Sequence, residues 1–353
     1  MECKSPRLPA SAFARLLLPV CLAAAGVGAQ NADDLPAGIE KRSYEGWDSS
    51  IFLNATETAV QVVIVPATGG RVAHFSLDGE NVLFENAATL GQTFTEGGAP
   101  LWLGGYQCDL GPESRGWPAH PQLTQGRARW KFNGDFSVHV AGPLDPRADI
   151  AIEKDFVLAP DTGDLGLTQR IRNQSGAAIS CCVWDRTICK GGGFVFFPLN
   201  QKSRFHAGWS QRRSQEAGSA YDGEHPASVQ TQVIEGVLVA EAVGAVTRIG
   251  ADSPAGWIAY ARGKLLFVKY FPWFARGRYG DGGNSVEVYF DQRAVELSPL
   301  SPEVEIAPGR DYTFPEKWVL IRLPKEVTTA AQARKLVRKI PPTPFHTPNG
   351  AVP

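Results

Sequence analysis

Asp185 and Arg186 stand side by side in Trp184-Asp185-Arg186-Thr187, at the end of the apolar run Ile179 to Val183. A guanidinium grips a planar anion bidentately, so this dipeptide is either part of a binding site or a structural ion pair at a strand end. A second concentration of chemistry runs from Tyr106 to His120. There Asp109, Glu113 and His120 offer proton donors and acceptors, and Trp102 and Trp117 offer flat rings for stacking. The plain alternative is a polar loop with structural caps. Arg204, His206 and Trp209 form a looser third group, in which Trp209 is either another platform or an edge packer. Arg71 follows Gly69-Gly70 and either reaches a cleft or stabilises the turn. Glu296 sits between Val295 and Leu297, so in a strand it faces away from both, toward a site or toward solvent. Lys269, Tyr270, Trp273, Phe274, Arg276 and Arg278 either line a cleft or form a rim. No Cys-x-x-Cys pattern marks a metal centre.

The elements that must hold these residues read as strands. Thr58–Val65, Arg71–Leu77, Leu165–Arg172, Ala177–Ile188, Lys264–Tyr270 and Lys317–Arg322 are β-branched or alternating runs punctuated by turns such as Asp78-Gly79-Glu80-Asn81. The whole chain gives about fifteen such runs with no strand–helix–strand alternation, which predicts antiparallel sheets stacked face to face. The fold class is all-β, with one short C-terminal helix over Thr328–Ile340, capped by Thr328 and ended by Pro341-Pro342. Two irregular stretches, 86–126 and 198–227, read as loops long enough to carry function. The expected organisation is a signal peptide over 1–29, a lead-in over 30–50, one sandwich over 51–325, the helix over 326–340 and a loose tail over 341–353.

Composition narrows the partners. The 353 residues hold 35 Lys+Arg against 36 Asp+Glu, so the positive footprint that nucleic acid requires is missing. Lys4, Arg7 and Arg15 precede the apolar run Leu16–Ala25, and Val27-Gly28-Ala29 supplies small residues before Gln30. This is the pattern of a cleaved secretory signal, too short to span a bilayer, and it predicts export with cleavage near Ala29. Cys108, Cys181, Cys182 and Cys189 then remain. Adjacent Cys181 and Cys182 point to opposite faces of a strand, so they do not bond each other. A bridge from either to Cys108 or Cys189, or four free thiols, fits the spacing.

Three stretches carry a resemblance. Val65-Pro66-Ala67-Thr68-Gly69-Gly70-Arg71-Val72 precedes Leu77-Asp78-Gly79-Glu80-Asn81-Val82-Leu83; Leu167-Thr168-Gln169-Arg170-Ile171-Arg172-Asn173-Gln174-Ser175 follows. Then come Val295-Glu296-Leu297-Ser298-Pro299 and Ile306-Ala307-Pro308-Gly309-Arg310. In this order, over roughly residues 55–323, they resemble an exported branch of the galactose mutarotase-like (aldose 1-epimerase-like) superfamily. The resemblance implies a β-supersandwich of antiparallel sheets with a sugar-binding cleft on a concave face. It implies a carbohydrate partner, no cofactor, no nucleic acid and no membrane span. In the epimerases a Glu takes the anomeric hydroxyl proton and a His protonates the ring oxygen. Glu296 falls at the position of that base. The family's Asn-His-x-Tyr-Phe segment is replaced by Val183-Trp184-Asp185-Arg186-Thr187, without a His, and Arg stays protonated. The acid is then expected from Asp185 or His120. Arg71, Trp102, Asp109, Glu113, Trp117, Arg186, Arg204 and Trp209 are the expected substrate-binding residues. If the chain is an enzyme, it is an isomerase. The alternatives are a non-catalytic carbohydrate-binding protein with the same cleft, or a domain accompanying polysaccharide lyase or hydrolase action.

Overall fold

The strand Leu165–Asn173 alternates buried side chains with more exposed ones, and it pairs antiparallel with Ile150–Leu158 on one edge and Asp311–Val327 on the other. Repeating this period-two pattern builds the protein. A computed structural model describes residues 35–115, 120–212, 230–244 and 247–345. Among them are a twelve-stranded and a nine-stranded sheet, both antiparallel. The path of the larger sheet runs Ile39–Tyr44, Trp47–Asn54, Val60–Val65, Arg71–Leu77, Gly105–Gly111, Ile179–Lys190, Ala294–Pro299, Val286–Phe290, Thr247–Ala251 and Ser210–Gln211. The smaller runs Thr231–Ile234, Val237–Glu241, Phe194–Pro198, Trp257–Tyr270, Asp311–Val327, Leu165–Asn173, Ile150–Leu158, Ser137–Ala141 and Arg129–Phe132.

Aromatic rings join the sheets. Phe75 and Tyr106 of the larger sheet meet Trp318 of the smaller at centroid separations of 5.8 and 5.3 Å, and Phe267 packs edge-on to Phe75 at 5.7 Å. Amid them lies a buried polar network. The Lys269 ammonium, from the smaller sheet, donates to Asp185 Oδ1 and, at 2.7 Å, to Thr187 Oγ1, both on the larger sheet. Glu316 Oε2 lies 3.3 Å from the same ammonium and accepts from Trp318 Nε1 at 2.9 Å. Gln169 donates to Glu316 at 3.1 Å, and Tyr106 closes the network by donating to Gln169 at 3.0 Å. Buried ions persist when paired and hydrogen-bonded in this way.

The glycine pair before Arg71 is required. Gly69 and Gly70 have φ of +75° and +66°, and a Cβ on Gly69 would lie 2.2 Å from the Thr124 carbonyl oxygen. Buried Lys154 clamps this turn by donating to Gly69 O at 2.6 Å.

The all-β class and the short C-terminal helix agree with the sequence, and several details differ. The presumed lead-in contains a hairpin, Ile39–Tyr44 with Trp47–Asn54, turned by Glu45-Gly46 at positive φ. Its edge strand is charged and solvent-facing, which hid it. Gly105–Gly111, inside the segment read as a loop, is a strand paired with Ile179–Lys190. Trp257–Tyr270 is continuous through Gly263, where the register shifts. The helix spans Ala330–Leu336 and is capped by Thr329, not Thr328: Thr329 Oγ1 accepts the Gln332 N–H at 3.3 Å. A second short helix covers Pro121–Gln125. Cys108, Cys181, Cys182 and Cys189 are buried and form no disulfide with one another. The proposed signal segment lies outside the described residues. No helix among those described is long and apolar enough to cross a membrane.

Lys269→Met strands Asp185 and Glu316 without their cation. Denaturant unfolding is expected to show a loss of about 3–5 kcal/mol, the cost of breaking one side of a buried pair.

Candidate functional site

Strand alternation sends every second side chain of the larger sheet away from the core. On Ile179–Lys190, Asp185 and Thr187 point inward, so Trp184 and Arg186 point outward. Glu296 and Ser298 lie beside them on the next strand, Glu287 and Tyr289 on the one after, and Arg248 beyond that. These side chains line a cavity of ≈ 300 Å³, bordered also by Glu113, Trp102 and Arg293.

At its centre Arg186 and Glu296 form a two-pronged pair. Arg186 Nε and Nη2 donate to Glu296 Oε1 and Oε2, each at 2.9 Å, and Ser298 Oγ donates to Oε1 at 3.0 Å. Burial alone would raise the Glu296 carboxyl. The Arg186 charge, its hydrogen bonds and that of Ser298 outweigh burial and hold it below the usual carboxylate range. Asp109 lies on the other side of Arg186, with Oδ2 3.9 Å from Nη1. Burial pushes its carboxyl up to about 6, against the pull of Arg186 and the Leu110 N–H, and nearby Glu296 and Glu113 add to the rise. Its Oδ2 is buried without a hydrogen-bond partner among the described residues.

Glu113 anchors another part of the lining, accepting from Arg248 at 2.8 Å and pairing with Arg212 at 2.5 Å. A neighbouring hollow over Gln107 and Gln125 shares Trp102, Arg186 and Ile188 with the cavity, so the cleft continues in that direction. Under it Arg71 donates to the Gly104 carbonyl and, at 2.6 Å, to Gln107 Oε1. Among the described residues, no three His, Cys, Asp or Glu side chains gather to hold a metal ion.

No protein-family model and no curated protein matches the sequence. Solved structures do match. The Slr1438 protein of Synechocystis sp. PCC 6803 aligns at TM-score 0.52 and 11% identity, covering 82% of this chain and 99% of that one. A putative aldose 1-epimerase from Escherichia coli K12 aligns at 0.50 and 13%, covering 77% and 99%. The chain has the galactose mutarotase-like fold. A TPR-domain containing protein from Parabacteroides distasonis also aligns, at 0.53 and 12% identity, over 78% of this chain and 47% of that one.

Within the galactose mutarotase-like sandwich, the residues singled out from the sequence fall into three groups. Glu296, Arg186, Glu113 and Trp102 line the cleft. Asp109 and Arg71 are buried beside it, where Arg71, 1% exposed, organises the floor and does not reach the cavity. The others lie elsewhere. Asp185 is corrected from candidate acid to core residue, because its strand phase turns it onto Lys269 between the sheets. His120 precedes the Pro121–Gln125 helix with Nδ1 3.3 Å from Asp145 Oδ2, and it does not line the cleft. Arg204 is exposed, 3.9 Å from Asp252, and Trp209 is packed in the core at 3% exposure. Trp117 lies outside the described residues. Lys269, of the cationic-aromatic cluster, points inward. The stacking role read for Trp102 also changes, since Phe84 stacks on its ring at 5.0 Å and the Arg293 guanidinium lies 5.1 Å from its centroid.

Sequence reasoning missed Arg248, Glu287, Tyr289 and Arg293. The signal was present in Val286-Glu287-Val288-Tyr289-Phe290, where apolar and polar side chains alternate and Tyr289 pairs opposite Glu296.

Asp109 links folding to pH. Its carboxyl takes a proton at about 6 in the fold, against 3.8 ordinarily, so the folded chain binds more protons between those values. Its contribution to stability is full below 3.8 and lost as pH rises through 6. Thermal melts across that window are expected to show the stability of Asp109→Asn rising relative to wild type as pH increases.

Proposed function

We propose that the chain is an exported carbohydrate-binding protein that seats a sugar in the cleft over Arg186, Glu296 and Ser298. The observation that carries this reading is the Arg186–Glu296 fork lining a ≈ 300 Å³ cavity. A guanidinium, a carboxylate and a hydroxyl fixed side by side in a cleft supply the convergent donors and acceptors that orient a polyhydroxyl ligand. The fold shared with a protein named as a putative aldose 1-epimerase supports a sugar ligand. The basic n-region, apolar run and small-residue site at the N-terminus support export.

A second reading, interconversion of sugar anomers, is favoured by one electrostatic contrast. Glu296 and Asp109 flank the same guanidinium, with one carboxyl held down and the other raised to about 6. Pairs of groups driven apart in this way divide acid and base roles. Glu296 would take the anomeric hydroxyl proton, and the proton held by Asp109, which is buried beside the cavity, would reach the ring oxygen through an intervening group. The clasp of Arg186 weakens Glu296 as a base, and no His among the described residues lines the cavity, so binding ranks ahead of turnover.

The test has two parts. Thermal melts with a panel of aldoses and oligosaccharides should show protection by at least one sugar. Arg186→Gln is expected to weaken that sugar's binding at least about tenfold, or ~1.4 kcal/mol. Failure of every sugar to protect the fold would remove the binding reading. NMR of anomer exchange with wild type and Glu296→Gln then decides turnover: a wild-type rate above the spontaneous one, lost in the variant, establishes it. Equal rates for both proteins and the blank eliminate it.

A further inference from the structure

Three aromatic rings border the cleft, and each faces a guanidinium. Arg186 lies 4.8 Å from the Trp184 centroid, Arg248 5.1 Å from Tyr289 and Arg293 5.1 Å from Trp102. Each guanidinium is also gripped by a carboxylate: Arg186 by Glu296, Arg248 by Glu113 and Arg293 by Asp291, the last through Nε at 3.2 Å and Nη2 at 3.0 Å. Held on a ring face and on one polar edge, these groups are fixed before any ligand arrives, which lowers the ordering cost of binding. Rings covered in this way are not open platforms for the apolar face of a neutral sugar.

The remaining donors point to the acceptors a ligand must bring. Nη2 of Arg248 and Nη1 of Arg293 make no hydrogen bond to the described residues, and the buried Nε of Arg248 has none either. The lining holds the three arginines with Glu113, Glu287 and Glu296. Burial raises the Glu287 carboxyl well above its ordinary value, and Asp281 reinforces the rise. Each of the three guanidiniums already has a carboxylate, Glu296, Glu113 or Asp291, on one edge, so its remaining N–H groups are the donors left for a ligand's oxygens.

We propose that the cleft selects acidic sugars, with the carboxylate of a hexuronate seated on Arg248 and Arg293. This rests on the sugar-binding reading and names its substrate class. A planar carboxylate accepts two N–H donors at once, and a charge-assisted hydrogen bond is stronger than one to a neutral hydroxyl.

Titration calorimetry on the full chain tests this with glucuronate, galacturonate, glucose, galactose and glucose 6-phosphate. At least one uronate is expected to bind at least about tenfold more tightly than its neutral parent. Arg293→Gln should erase that advantage, while Arg293→Lys should keep part of it. Arg293 has an exposed side chain, so circular dichroism should show both variants folded. Uronates binding no more tightly than neutral parents would overturn acid selectivity and leave the sugar-binding reading standing. Glucose 6-phosphate binding more tightly than either uronate would overturn the carboxylate assignment. Absence of binding by every sugar would end both readings. An undiminished uronate advantage in Arg293→Gln would remove Arg293 from the seat.

Discussion

A single ammonium sets the geometry of the sandwich. Lys269 reaches from the smaller sheet to Asp185 and Thr187 on the larger, while Glu316 holds it from its own side. An apolar interface between sheets tolerates sliding, because dispersion contacts have little directional preference. A buried cation with fixed acceptors does not, since any displacement leaves a charge uncompensated in a medium that cannot solvate it. Burial and the Glu316 charge push the Asp185 carboxyl up, and the Lys269 ammonium works against both. The hydrogen bonds from Gln169, Tyr106 and Trp318 extend this constraint to a network of five strands.

The cleft takes its form from that interior network through strand alternation. Asp185 and Arg186 are neighbours in sequence and lie on opposite faces, so fixing one fixes the other. Tyr106, tied into the core, likewise sets Gln107 on the cleft side, where Arg71 holds it. Lys154 acts in the same way on the Gly69-Gly70 turn that launches Arg71. The outer charges are therefore arranged by inner ones. The Arg186–Glu296 pair joins adjacent strands, and Arg248 and Glu113 carry the pattern toward the far edge.

Much of this was legible in the sequence, and the gaps have physical causes. Leu165–Arg172 and Arg71–Leu77 read correctly because one face is apolar and the other polar. Gly105–Gly111 did not, because its polar residues are buried, with Gln107 held by Arg71, a neighbour that no local pattern shows. Choosing between Asp185 and Arg186 required the phase of the strand. A one-residue change of phase exchanges core and surface, and polar residues on both faces leave that phase unmarked. Glu296 emerged from a family motif, whereas Arg248 and Arg293 gather from separate strands and loops and carry no motif of their own. Trp209 misled because a large ring serves packing and binding equally well in sequence, and here it packs.

The four buried thiols give the fold one more property. Cys108, Cys181, Cys182 and Cys189 form no bridge, and burial pushes the thiols of Cys108, Cys182 and Cys189 up, away from the reactive thiolate. The sandwich is held by burial, ladder hydrogen bonds and its central ammonium, with no covalent link between strands. Among the described residues a reductant therefore finds no disulfide to cut, and an oxidant reaches the buried thiols of Cys108, Cys182 and Cys189 only when the sheets part.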